Sequence, residues 1–207
     1  MAEFARNAPG ACRYTLSELA HLTGLTRTTA RQLLQRYVSP CAEKRFSFEN
    51  LVELHVLHGL HRAYQPQKQA LAEALAQLPQ ARPLLTLGAV SDLAGLLAAR
   101  AAAADTDLFR AWLERVEWST PDVPTRLYPL YRATVEHVED VRRTPRLIAV
   151  DPQVRFGGPF LVNSGIPVEA LVGCYRGGDS VSEIADDYNV AVVEVEEAIR
   201  YELETVG

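Results

Sequence analysis

Arg27, Arg31 and Arg36 fall in a stretch, residues 26–36, that holds no acid. At about 100° per residue, Arg27, Thr28, Arg31, Gln32 and Gln35 share one side of a helix. Ala30, Leu33, Leu34 and Tyr37 share the other side. Guanidinium and amide groups on one exposed face are the chemistry that reads base edges and neutralises phosphates. Lys44 and Arg45 follow in a short basic segment after Pro40 and suit sequence-independent phosphate contacts. A second candidate chemistry is His55, His58 and His61, spaced three apart. On a helix they spread over about 120°. Two of them, with Cys41, could take a divalent metal, but the plainer reading is a helix surface beside the wing, so no metal is expected. No Ser–His–Asp set, Cys–His set or framed pair of catalytic acids can be read, so neither an enzyme nor a cofactor is expected. Gly157-Gly158-Pro159 lacks the lysine of a phosphate-binding loop and reads as a tight turn.

The elements that must hold these side chains are written twice. TLSELAHLTGL (15–25) and SVSEIADDYNV (180–190) share one pattern at a constant offset of 165 residues. Thr15 and Ser180 can each cap a helix start, with Glu18 and Glu183 reaching back from three residues later. Gly24 and Asn189 fall where the chain must turn, and both types accept left-handed backbone angles. A second helix starts almost at once in each copy, which is the layout of a helix-turn-helix. The charges on the two second helices differ. The first carries three arginines, whereas residues 191–201 carry Glu194, Glu196 and Glu197 against Arg200. Only the first copy suits a polyanion, and the second is expected to meet protein.

The same division runs along the whole chain. Of the net charge of −5, residues 1–62 contribute +3, residues 63–145 −1 and residues 146–207 −7. A basic end for nucleic acid and an acidic end for a basic protein surface follow from that asymmetry. The modest +3 also favours a dimer that presents two DNA-binding copies. No apolar run approaches the roughly 20 residues that span a bilayer. The opening MAEFARNAPGACRY lacks the apolar stretch of a signal peptide. Three dispersed cysteines, Cys12, Cys41 and Cys174, make a disulfide framework unexpected and fit a reducing cytoplasm.

The remaining elements are coarser expectations. After a frayed leader over 1–13, helices are expected at 15–22, 26–36 and 48–63. Further helices are expected near 66–78, 90–102 and 105–116, the stretch 94–104 being alanine-rich and strongly helical. Strands are expected at 126–128 and 146–150, pairing antiparallel across the charged segment 136–145. Pro167 and Gly177-Gly178 bracket a helix over 167–176. The expected architecture is mainly α. It has an N-terminal helix-turn-helix with a wing over 1–63 and a helical connector or dimerisation region over 64–120. A small C-terminal helix-turn-helix-like domain with a short β-hairpin follows over 121–207.

Tyr14-Thr15-Leu16-x-Glu18-Leu19-Ala20-x-Leu22-Thr23-Gly24-Leu25, followed by Arg45-Phe46-Ser47-x-x-Asn50-Leu51, resembles the MerR-type winged helix-turn-helix. The tyrosine-rich stretch of that family is poorly matched here, and its metal-binding cysteines have no counterpart. Ile148-x-Val150-Asp151-Pro152, Phe156-Gly157-Gly158-Pro159, Gly165-Ile166-Pro167-Val168 and Gly177-x-Asp179-Ser180-x-x-Glu183-Ile184-Ala185-x-Asp187-Tyr188 occur in that order and end in Val195-x-x-Ala198-Ile199-x-Tyr201. This series resembles the family called domain of unknown function 433. Asn163-Ser164-Gly165 stands where many members have Gly-Thr-Arg. That resemblance implies a VapB-type antitoxin of a type II toxin–antitoxin pair. Such a protein neutralises a PIN-like ribonuclease toxin and represses its own operon as a homodimer or larger toxin–antitoxin assembly. The DNA-contacting residues would be Arg27, Thr28, Arg31, Gln32, Gln35, Arg36, Lys44 and Arg45. The toxin-contacting residues would be Phe156, Phe160, Ile166, Glu194, Glu197 and Tyr201. The alternative is a stand-alone MerR-like regulator whose C-terminal domain senses a ligand or a protein.

Overall fold

A computed structural model describes residues 12–38, 44–131 and 137–204. The chain is mainly helical with two small antiparallel strand pairs. Helices α1 (Leu16–Thr23) and α2 (Arg27–Tyr37) form the first helix-turn-helix. Thr15 and Glu18 make the expected capping box, and Gly24 closes α1 with a left-handed φ of 66°. Phe46 pairs with Tyr14 as an antiparallel bridge, which ties the segment after α2 back to the start of α1. Residues 39–43, with Cys41 and most of the expected wing, lie outside the described residues, as does the leader up to residue 11.

Helix α3 (Phe48–Tyr64) is the central strut. Leu51, Leu54, Val56, Leu57 and Leu60 are buried, and so are Val52, Glu53 and His55, because other elements cover the helix nearly all round. Packed about it are α5 (Leu87–Ala98) and α6 (Thr106–Leu113), and α4 (Lys68–Ala76) packs in turn against α5. Helix α5 stops well short of residue 102, so alanine propensity alone does not carry the chain onward once the apolar face is used up at Leu97. The expected helix over 105–116 also ends early. Val116 belongs to strand β1 (Val116–Thr120), which pairs with β2 (Val123–Leu127) across the tight turn at Pro121-Asp122. The expected boundary at residue 120 therefore falls inside a hairpin.

Beyond the hairpin come α7 (Val138–Arg143) and a second strand pair, β3 (Ile148–Ala149) with β4 (Phe160–Leu161). The expected pairing of 126–128 with 146–150 survives as one bridge, Leu127 with Val150, closed by reciprocal backbone hydrogen bonds of 2.9 and 2.8 Å. Helices α8 (Val168–Gly177), α9 (Val181–Tyr188) and α10 (Val192–Glu204) complete the chain. Ser180 and Glu183 form the second capping box, and Asn189 takes the left-handed turn at φ 51°.

One apolar core runs from Tyr14 to Tyr201, so the first helix-turn-helix and the C-terminal helices are packed together. Tyr14 donates its hydroxyl to Gly157 O at 2.9 Å. His21 packs edge-on against Tyr201. Arg115 holds the middle together and is almost wholly buried without a carboxylate among its hydrogen-bond acceptors. Its guanidinium donates to the carbonyl oxygens of Tyr128, Pro129, Thr144 and Pro145. Four carbonyl dipoles replace the lost water, although burial still lowers its pKa to about 10. The arginine thus joins the end of α6 to the segments after β2 and α7.

Candidate nucleic-acid interface

Helix α2 is cut to present its basic face. Thr26 caps it by accepting from Thr29 N at 3.2 Å. Ala30, Leu33 and Leu34 are buried against the domain. Arg27, Thr28, Arg31, Gln32, Gln35 and Arg36 are all exposed, as the helical spacing requires. The structure thus brings these six onto one outward surface with no acid on the helix. Lys44 and Arg45 are exposed as well, on the segment that follows. Lys44 sits at φ 58°, a left-handed turn position, and Arg45 donates to Arg13 O at 3.0 Å, which holds its guanidinium beside α1.

The structure turns two of the three histidines to backbone carbonyls. His55 is fully buried and donates from Nε2 to Trp112 O at 3.1 Å. His58 donates from Nδ1 to Thr23 O at 3.1 Å and meets Trp112 edge-on. Burial lowers the pKa of His55 to about 3 and that of His58 to about 4, so both rings are neutral. Each spends its ring proton on a backbone carbonyl. Among the described residues no cluster of three His, Cys, Asp or Glu side chains could hold a metal ion. Asp151 accepts from Gln153 N at 2.8 Å and pairs with Arg126.

The C-terminal copy of the motif is organised differently from the sequence expectation. Glu194 and Glu197 are buried. Glu194 accepts from Asn163 Nδ2 and Ala191 N, both at 2.9 Å, and so acts as a helix cap and loop tether. Glu197 accepts from the Tyr131 hydroxyl and pairs with Arg200. Phe160 and Tyr201 are buried too, because β3–β4 and the first helix-turn-helix cover them. These four serve the interior rather than an open contact surface. Ile166 is half-buried. Phe156 remains open, 55% exposed and left-handed at φ 54°. It borders a cleft of about 780 Å3 between α1 and the C-terminal helices. The exposed residues of α9 and α10 include two not singled out from sequence, Val192 and Val193, as well as Glu196, Asp186 and Asp187. Two exposed valines at the start of a helix with a buried opposite face were the available signal.

The cysteines depart in part from expectation. Cys174 is free, but Cys12 is disulfide-bonded. Among the described residues no helix is long and apolar enough to cross a membrane.

Residues 148–201 match a family described as protein of unknown function, DUF433. The matched residues are those of the C-terminal strand pair and helices. No curated protein matches the chain. Among solved structures, the X-ray crystal structure of RV2018 from Mycobacterium tuberculosis is similar, with a TM-score of 0.70 at 17% identity. The likeness covers 93% of this chain and 98% of that one, and it is a likeness of fold.

Proposed function

We propose that this chain is a DNA-binding antitoxin that represses its own operon and neutralises a PIN-like ribonuclease toxin in the cytoplasm. The observation that carries the DNA-binding half is the outward face of α2: three arginines, two glutamines and a threonine, all exposed, on a helix with no acid. Held in a helix-turn-helix by buried Ala30, Leu33 and Leu34, that face meets the requirement for a helix entering a major groove. Lys44 and Arg45 flank it as phosphate contacts. A homodimer would double the weak positive field of one copy.

The antitoxin half rests on the ordered motifs of residues 146–203 and their resemblance to antitoxin-associated domains. The acidic balance of that region supports a binding role toward a basic protein surface. With Glu194, Glu197, Phe160 and Tyr201 committed to the interior, the toxin-facing residues are Phe156, Ile166, Val192, Val193 and Glu196.

The test is a mobility shift of the full chain on its own promoter. Arg27→Ala/Arg31→Ala is expected to lose about 1–3 kcal/mol of binding per base-reading contact. Wild-type affinity in the double variant would remove α2 from the interface. For the antitoxin half, co-expression with the product of a neighbouring small open reading frame should rescue growth that the small product alone arrests.

A further inference from the structure

We infer that a groove beside α2 is a binding site for a small organic anion with an apolar body, of the fatty-acid or aromatic-acid class. The groove holds about 750 Å3, within the range of ligand sites, and lies between α2, the end of α3 and the start of α4. Leu33 and Tyr37 supply apolar lining. Arg36, Arg62 and Lys68 supply three cations from three different helices, and among the described residues no carboxylate lines the space. A site with an apolar floor and cations of one sign is complementary to a molecule with an apolar body and an anionic head. A duplex phosphate needs the cations but not the floor.

A second, independent observation comes from His61, which also lines the groove. Its Nε2 is shut from solvent and has no hydrogen-bond partner among the described residues. Buried polar atoms without partners are rare, and a bound acceptor or donor is one way such an atom is satisfied. The wall is also fixed. Tyr37 donates its hydroxyl to Lys68 O at 3.2 Å, which holds the start of α4 against the end of α2.

The location gives the ligand a consequence. Arg36 belongs both to the groove and to the basic face of α2, so an anion seated there competes with DNA for the same guanidinium. This consequence rests on the DNA-binding reading; the site itself does not.

The experiment uses the full chain and anilinonaphthalenesulfonate, a fluorescent apolar anion. The probe should bind saturably at one equivalent and be displaced by decanoate but not by decanol, which has the same body without the charge. Lys68→Glu and Arg62→Glu should each weaken binding about tenfold or more, as expected for loss of a charge-assisted contact and gain of a like charge. Both positions lie on the surface, and unchanged unfolding midpoints would show that the fold is intact. Wild-type probe binding in both variants, or equal displacement by decanol, overturns the site. Decanoate should also release promoter duplex from the wild-type chain. Simultaneous binding of decanoate and duplex overturns the competition, whereas a decanoate site in a chain that binds no duplex upholds the site and overturns the DNA-binding reading.

Discussion

His55 and Trp112 hydrogen-bond to each other's backbone. The imidazole donates to Trp112 O and the indole N–H donates to His55 O, both at 3.1 Å. The two residues lie on α3 and α6, and both are almost wholly inaccessible. The reciprocal pair satisfies both ring N–H donors without a water and fixes the angle between the two helices. His58 stacks edge-on against the same indole and reaches back to Thr23 O at the end of α1. The chain of contacts therefore runs from the middle of the protein to the first helix-turn-helix.

That arrangement makes stability depend on pH. Burial, the larger cause, holds His55 at about 3 and His58 at about 4, below the unfolded value of about 6.5. The unfolded chain therefore takes up protons first as pH falls. The stability these neutral rings contribute is complete above about pH 6.5 and is lost on acidification toward the folded values. Between pH 7 and pH 5 the expected loss is about 2 kcal/mol for each histidine. Urea unfolding midpoints at the two pH values measure it. A His55→Gln/His58→Gln variant should lose most of that dependence, and a wild-type midpoint that does not move would refute the account.

Gly59 shows how the same indole dictates a residue on α3. A Cβ built there would lie 2.7 Å from Trp112 Cδ1 and 2.8 Å from Cγ. In an open helix Gly→Ala gains about 1 kcal/mol of propensity. Here the methyl must displace a ring pinned by its hydrogen bond to His55, and overpacking costs about 1–3 kcal/mol. Gly59→Ala is expected to destabilise, with a lower thermal midpoint. Gly95→Ala on α5, where nothing lies within 4 Å of the added Cβ, is the control and should be neutral or stabilising. The reverse ranking would mean that Trp112 yields.

Local signals were legible in the sequence and distant partners were not. Both capping boxes and both left-handed turns follow from residues three to nine positions apart, and the structure has them. The exposed face of α2 follows from helical periodicity alone. Glu194 and Glu197 read as surface charge because their partners, Asn163 and Tyr131, are 31 and 66 positions away. The strand at Val116 was hidden because Leu108, Trp112 and Val116 fall at helical spacing, and the hairpin is decided by the Pro121-Asp122 turn and the pairing with β2. Arg115 gave no signal at all: its acceptors are backbone oxygens, which carry no residue type.

Under the proposed DNA-binding function, the segment after α2 offers a test that separates position from sequence reading. Lys44 and Arg45 are exposed beside α1, and phosphate contacts release counterions. Replacing both by Ala is expected to reduce the slope of log affinity against log salt by about 1 per lost contact. Discrimination between operator and random duplex should stay as it was, because contacts to phosphate alone carry no sequence information. A salt slope equal to wild type would exclude this segment from the DNA interface.

The C-terminal surface yields the sharpest division between stability and binding. Glu197 is buried against Tyr131 and Arg200, so Glu197→Ala strands a buried hydroxyl and should cost about 1–3 kcal/mol of stability. Glu196, one position earlier, is exposed, and Val192 and Val193 beside it are 45% and 52% exposed. Burial of an exposed valine against a partner is worth up to about 1.5 kcal/mol, and charge on the rim acts mainly on the rate of association. Under the proposed antitoxin function, Val192→Asp/Val193→Asp in the full chain should therefore speed dissociation of the toxin, and Glu196→Arg should slow its association and flatten the salt dependence. Both should leave promoter binding and the unfolding midpoint near wild type, because α2 is untouched and neither valine supports the core. Surface plasmon resonance with immobilised toxin separates the two rates. If the valine and Glu196 variants bind toxin as wild type does while Phe156→Ala does not, the contact lies at the cleft beside α1 and not on the face of α10.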